Sequence, residues 1–547
     1  MKKKTLLMTT SLLALTLAGC GGTNDAGTES TAGPEKVDGK YDPMVTITVG
    51  KQQDELAGKY KTGESLNDNV LTRWGEEELG IKIDTTLLGG DANNYNTKLR
   101  LALTGAEKLP DVVPVYDTQL LADLIESGQV KEVSEDMEQY MPERLKEIYD
   151  EFPNTFNPVT KDGKTYGFAI APFLTESQVM LIRQDWLDNL GLEAPTNMEE
   201  FEQVLDAFTN DDPDQNGKKD TYGYTFSGKN GYNTSWVSDP VMIFSAYTGK
   251  YLPKLWVENE EGKLVYGSIQ EGNKEALQTL RDWYEKGYIN KEMAVLEPWD
   301  AMGDFTTGKA GIVLGRPWMY GTVSDLETNV EGAEIGAYPW IEGIKEDKTY
   351  QSGETNDGWF VFNKDFTNME AFFDYYDKMY DISFGEGDFQ YGIFEGYDYD
   401  MVDGKPTYNP KEFNEPMDEV INAGKMIFFK NAPKVNEINA FAKVYKGEEP
   451  ENGIELKAAS QKPTHIKGYA ISAEQQDTLI PDAFNGVPTA TMAKNGEQLN
   501  TLENEVFTKI IYGEKDIDAY DQFVQDWHEK GGDKITEEIN EWYDSVK

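Results

Sequence analysis

The chain has 547 residues, 39% hydrophobic and 12% aromatic, which is enough material for several domain-sized units with sizeable cores. Its formal net charge of -47 repels polyphosphate and anionic lipid, which argues against nucleic acid as a partner and keeps a surface protein soluble. It has one cysteine, so no disulfide can form within it and its stability must come from packing.

The chain opens on Lys2, Lys3 and Lys4. Next comes Leu6 to Leu17, apolar except for Thr9, Thr10, Ser11 and Thr16, and then Leu17-Ala18-Gly19-Cys20. A basic start, a short apolar run and small residues at a cut site make a secretory leader over 1–19, since a membrane span needs about 20 apolar residues. Leu-Ala-Gly-Cys resembles the bacterial lipobox. That resemblance implies that Cys20 is lipidated, with palmitate among its acyl chains, and holds the mature chain on the outer face of the cell membrane. A buried filler cysteine is the alternative, but the position between leader and Gly-rich stretch does not suit it. Residues 20–43, Gly- and Ser/Thr-rich with no apolar periodicity, read as a flexible tether.

Beyond the tether, apolar and polar residues alternate over 45–49, which predicts a first strand. A helix is expected over 69–79, a strand over 81–87, a helix over 95–103, a strand over 111–115 and a helix over 119–127. This alternation predicts an α/β fold with a parallel sheet and crossover helices. Ligands of such sheets lie beyond the carboxyl ends of the strands, where Gln53, Asp54, Tyr116 and Asp117 fall. Further on, 179–182 reads as a strand and 185–190 as a short helix ended by Gly191. Thr196 reads as the cap of the next helix, with Glu199 completing a capping box. Asn210 to Gly223 places oxygen donors at Asp212, Asp214, Asn216 and Asp220, with Gly217 at the turn and the Lys218 carbonyl available. Alternate donors suit a hard cation, so Ca2+ is expected here in a structural role. Gly223 stands where an EF-hand has its bidentate Glu, which leaves Asp220, with Thr221, to close the shell. An Asx-rich turn without an ion is the alternative.

Three stretches carry a resemblance over essentially the whole mature chain. The first joins Gly-Lys-x-Tyr-Gly at 163–167 to Arg-x-Asp-Trp-Leu at 183–187 and Leu-Gly-Leu-x-x-Pro-Thr at 190–196. The second runs from Phe305-Thr306-Thr307-Gly308-Lys309-Ala310-Gly311-Ile312 into Arg316-Pro317-Trp318. The third is the tail from Leu502 to Tyr543. Together they resemble family-1 extracellular solute-binding proteins of ABC importers, in the large lipoprotein subgroup that includes LipO- and YtcQ-like members. The resemblance implies two α/β lobes that close by a hinge on a carbohydrate and hand it to permease subunits. It places lobe one at 44–168 plus about 345–425, and lobe two at 169–344 plus about 426–547. The first crossing is expected at 166–171 and the return at 335–340. Larger relatives also carry a calcium loop. A monomer is expected.

A sugar needs flat aromatic platforms and planar hydrogen-bonding groups. The resemblance carries a stacking tryptophan over to Trp318, with Arg316 beside it, and a looser match to Trp236. Trp299, Trp359, Asn356 and Asp357 complete the candidates, while Trp74, Trp186, Trp283, Trp527 and Trp542 fit helical core patterns. With 98 Asp and Glu residues some carboxylate pair always exists, so a two-carboxylate glycosidase or a lyase stays open as the rival class. A peptide receptor and a surface adhesin stay open too. The two histidines, His465 and His528, lie in no nucleophile elbow or zinc spacing, and no P-loop or dinucleotide fingerprint occurs. A non-enzymatic carbohydrate receptor is the expectation.

Overall fold

The computed structural model describes residues 34–53, 59–173, 176–234, 237–346 and 348–547. Its first sheet orders the strands Ile81–Gly89, Val45–Gln52, Val112–Val115, Trp359–Phe362 and Gly167–Ala169. The first three are parallel and the last two run antiparallel to their neighbours. Burial on both faces explains why Val112–Val115 is apolar throughout. Helices Ala92–Leu103 and Thr118–Glu126 cover one face through Tyr95, Leu99, Leu120 and Leu124. The helix Met369–Phe384 covers the other through Phe372, Phe373 and Tyr376. Two glycines make the first seat possible. A Cβ at Gly89 would fall 2.4 Å from the Tyr95 Cα, and one at Gly50 would fall 2.5 Å from the Tyr95 hydroxyl. That hydroxyl donates to the Pro114 carbonyl at 2.8 Å.

The second sheet orders Tyr222–Thr225, Ala310–Gly315, Val179–Arg183 and Ile335–Tyr338. The Arg-x-Asp-Trp motif explains itself here. The Arg183 guanidinium is 1% exposed, gives Asp185 two hydrogen bonds (2.9 and 2.6 Å) and lies 4.3 Å from the centre of the Trp186 ring. The motif is thus a buried charge pair that fixes the turn out of the strand.

The two sheets are the two expected lobes, and the described chain passes between them at 170–173 with 176–178, at 351–358 and at 429–437. The first two passages are bonded together. Ile170 N–H donates to the Gly358 carbonyl at 2.7 Å, and Phe173 N–H to that of Thr355 at 3.0 Å. Gln351 exchanges hydrogen bonds with the Gln178 backbone. The return was expected at 335–340, but Ile335–Tyr338 is the edge strand of the second sheet, paired with Val179–Arg183. Its apolar character reflects burial in the sheet, not passage between lobes. The strand Gln351–Gly353 makes the return instead, parallel to Leu479–Pro481.

Three further expectations shift. Met426, Ile427, Phe428 and Phe429 pack in the first core with Phe360 and Tyr376, so that lobe runs past the boundary placed near 425. The helix Met198–Asn210 is capped by Asn197, not Thr196, and it is Glu200 rather than Glu199 that accepts from Thr196. The tether ends sooner than 43. Glu35–Val37 and Lys40–Asp42 form a hairpin that turns at Asp38-Gly39, both with positive φ. Tyr41 anchors it in the first core, donating to Asp374 at 2.5 Å, and Lys36 pairs with Asp374 and Glu370. The Asp-Gly turn between Val37 and Tyr41 was the readable signal.

Candidate ligand site

The lobes enclose a cavity of about 700 Å³ on the return passage. Tyr116 and Thr118 reach it from the carboxyl end of a first-sheet strand, and Glu354, Asn356, Asp357 and Trp359 from the passage and the strand after it. The second lobe contributes Asp482, Asn485, Trp542 and Tyr543. Asn485 bridges the lobes: its amide donates to the Asn154 carbonyl at 2.7 Å and its carbonyl accepts from Asn157 at 2.9 Å.

Four expected residues therefore share one cavity: Tyr116, Asn356, Asp357 and Trp359. Each is already oriented. Burial, and after it the charge of Asp357, holds the Tyr116 phenol well above its ordinary range. The Asn356 amide donates to the Gly358 carbonyl at 2.7 Å and Asp357 accepts from Asn431 at 2.8 Å. The Trp359 indole N–H donates to the Thr155 carbonyl at 2.9 Å, leaving the half-buried ring against the cavity. Asp117 does other work: it caps the helix Thr118–Glu126, accepting from Leu120 N–H at 2.7 Å. Gln53 is half-buried just past its strand.

Arg316 links this cavity to a second group. It is 7% exposed and its guanidinium lies 3.3 Å from the Glu354 carboxylate. The neighbouring turn Pro317–Met319 presents Trp318, half-buried against Phe441 and Tyr469. Trp299, 44% exposed at the start of the helix Pro298–Thr306, lies 6.1 Å from it, centre to centre. Trp299 faces a separate depression on the second lobe with Tyr222, Asn290 and Asp304. Asp54, Trp236 and Cys20 lie outside the described residues.

Sequence reasoning missed Asp482, Asn485, Trp542, Tyr543 and Lys430. Trp542 fits a helical core pattern, and it does pack on Phe484 at 4.9 Å, yet it also lines the cavity. Asp482 accepts from Trp256 and Phe484 N–H groups, but burial prevails and pushes its carboxyl up to about 7. Nothing local in the sequence marks either role. A smaller cavity of about 280 Å³ adjoins the third passage, bounded by Asp398, Lys425, Asn431, Lys434 and Glu437.

In the 210–223 loop, Asp212, Asp214, Asn216 and Asp220 converge. Asn216 Nδ2 donates to Asp214 (2.6 Å) and Asp220 (3.2 Å), and its backbone N–H to Asp212 (3.1 Å). The Lys218 N–H is held by the Asn216 side chain, which leaves its carbonyl for other partners. Burial first, then Asp212 and Asp220 nearby, raise the Asp214 carboxyl. The donor chemistry suits a hard cation, although the amide now stands among the carboxylates. Among the described residues no three acidic, His or Cys side chains have closed into a ligand shell. Thr221 is buried and donates to the Phe208 carbonyl at 2.9 Å, tying the loop's exit to the helix. Gly223 has a packing reason: a Cβ there would meet Leu205 at 2.6 Å.

Residues 57–376 match the family described as bacterial extracellular solute-binding protein. The chain is 25% identical over 562 residues to the polygalacturonan/rhamnogalacturonan-binding protein YtcQ of Bacillus subtilis, covering 99% of each. It is 24% identical to the lipoprotein LipO of the same organism, covering 83% of this chain and 85% of that one. In fold it is similar to Streptococcus pneumoniae FusA in complex with kestose (TM-score 0.62, 20% identity, 92% and 99% coverage). A Bifidobacterium longum infantis HMO-binding solute-binding protein gives TM-score 0.64 at 18% identity, with 93% and 99% coverage.

Proposed function

The chain belongs to the bacterial extracellular solute-binding protein family, and from that premise we propose that it captures a carbohydrate, an oligosaccharide, between its lobes and delivers it to an ABC permease. One observation carries the reading: the interlobe cavity combines rings from both lobes with amide and carboxyl groups already fixed in direction. Tyr116 and Trp359 come from one lobe, Trp542 and Tyr543 from the other. Such a cavity suits the apolar face and hydroxyl rim of a sugar ring. The family is one of binding proteins, so the chain is a receptor and no turnover is expected. Relatives named for polygalacturonan and fructooligosaccharide binding support the ligand class. Calorimetry against a panel of plant-wall and fructan oligosaccharides should give one-to-one binding without new reducing ends. Accumulating reducing ends, or no binding across the panel, would refute the reading.

Two accompanying statements belong to it. Cys20 carries the lipid anchor, with the chain facing the outside as a monomer. Cys20→Ser should release the protein from membranes, and retention of the variant would count against the anchor. Calcium is held by Asp212, Asp214, Asn216 and Asp220 with the Lys218 carbonyl, and stiffens the loop without touching ligand. A chelator should lower the melting temperature and added Ca2+ restore it. An unchanged melt would favour a bare Asx turn.

A further inference from the structure

The first and third passages between the lobes meet at one ammonium group, and the return passage is bonded to the same segment. Lys434, on the third passage, places its Nζ 4.0 Å from Glu176 on the first passage and 3.6 Å from Glu437 where the next helix starts. Asp357, on the return passage, is bonded to Asn431 three residues before Lys434. Glu437, Glu176 and Asp357 all raise the affinity of Lys434 for its proton.

The three carboxylates are not equal. The Glu176 side chain is only 7% exposed, and among the described residues Lys434 is the one cation within 4.0 Å of it. Glu437 has an oxygen, Oε2, that is buried without a hydrogen-bond partner. Both Lys434 contacts are longer than a hydrogen bond, so the ammonium sits between the two carboxylates and is bonded to neither. A buried carboxylate left without its cation regains hydration only if the structure around it opens.

We propose that Lys434 is the fastener of the hinge, a positioning residue whose charge holds the three passages together and sets the balance between open and closed lobes. Removing the charge leaves Glu176, Glu437 and Asp357 repelling one another across the passages. The state that hydrates Glu176 is then favoured, and the lobes shift toward opening. Restoring a cation restores the balance. The inference rests on the two-lobe receptor reading but not on the identity of the solute.

The test is small-angle scattering on unliganded protein carrying Cys20→Ser to keep it unlipidated. Lys434→Met should enlarge the radius of gyration, corresponding to an about two- to fivefold higher open-to-closed ratio, the range of a partly exposed ion pair. The wild-type radius should grow as salt screens the attraction, and that of the variant should shrink as salt screens the repulsion. Lys434→Arg should behave like wild type. In a Glu176→Gln background, Lys434→Met should have little further effect. An unchanged radius in Lys434→Met, or an equal shift with Glu176→Gln present, would overturn the proposal. If Lys434→Met alone does not fold, recovery of folding in the double variant supports the coupling and continued unfolding refutes it. Because no ligand is used, failure of the sugar panel and failure of this test remain separate results.

Discussion

Lys51 offers the sharpest energetic test. It lies next to the end of the strand Val45–Gln52 at 2% exposure and donates to three consecutive carbonyls, those of Lys425, Met426 and Ile427, at 2.7, 3.1 and 2.7 Å. No carboxylate pairs with it among the described residues. Burial, with the nearby Lys425 charge adding to it, lowers its pKa to about 7. In the unfolded chain the group keeps its proton to about 10.4. Between these values the unfolded state binds more protons, so the stability of the folded state rises with pH. Each pH unit contributes about 1.4 kcal/mol, and the whole window approaches 4–5 kcal/mol as an upper bound. Lys51→Met removes the titration while leaving three carbonyls short of a donor. Urea unfolding of both proteins at pH 7, 8, 9 and 10 gives the difference directly and cancels the tyrosines common to both. The wild-type advantage should grow with pH. A flat difference would show that the three carbonyls hold the ammonium charged, and would refute the argument from burial. The position matters because Lys51 fixes where the chain leaves the first lobe for its third passage.

Three other outcomes can be checked. Asp185→Ala should destabilise the second lobe by about 3–5 kcal/mol in urea melts, because it strands the Arg183 guanidinium in the core. Asp482, with its folded pKa raised to about 7, contributes stability that is full below pH 4 and lost as pH rises through 7. Asp482→Asn should therefore melt with a flatter pH profile between 4 and 7, and an unchanged slope would exclude it as the source. Trp318→Ala should weaken oligosaccharide binding about tenfold by calorimetry, near 1.4 kcal/mol, while the melting temperature moves little because the ring is only half-buried. Equal affinity would remove Trp318 from the site.

The alternation of strands and helices was legible because it is local. Apolar periodicity is written in neighbouring residues, and the expected elements of the first lobe fall within a few positions of those observed, although Asp117, expected at the ligand, turned out to be a helix cap. The return passage was not legible, since an edge strand and a crossing segment are equally apolar and only pairing distinguishes them. The cap at Asn197 lay one residue from the expected one, as two adjacent polar residues can each begin a helix.

The site divides along the same line. Tyr116 could be placed at the cavity because strand ends in α/β sheets face ligand. Trp542, Asp482 and Lys434 were invisible, since each acquires its role from residues far away in sequence: Phe484 and the first lobe, Trp256, and Glu176. By itself the sequence determined the class of fold and the chemical types available to a cleft, because these depend on composition and short-range pattern. The tertiary structure alone decided which of those groups face one cavity, which carboxylates are buried, and where Lys434 meets a carboxylate of another passage. Burial and long-range pairing set both desolvation and direction, and neither is a property of neighbours along the chain.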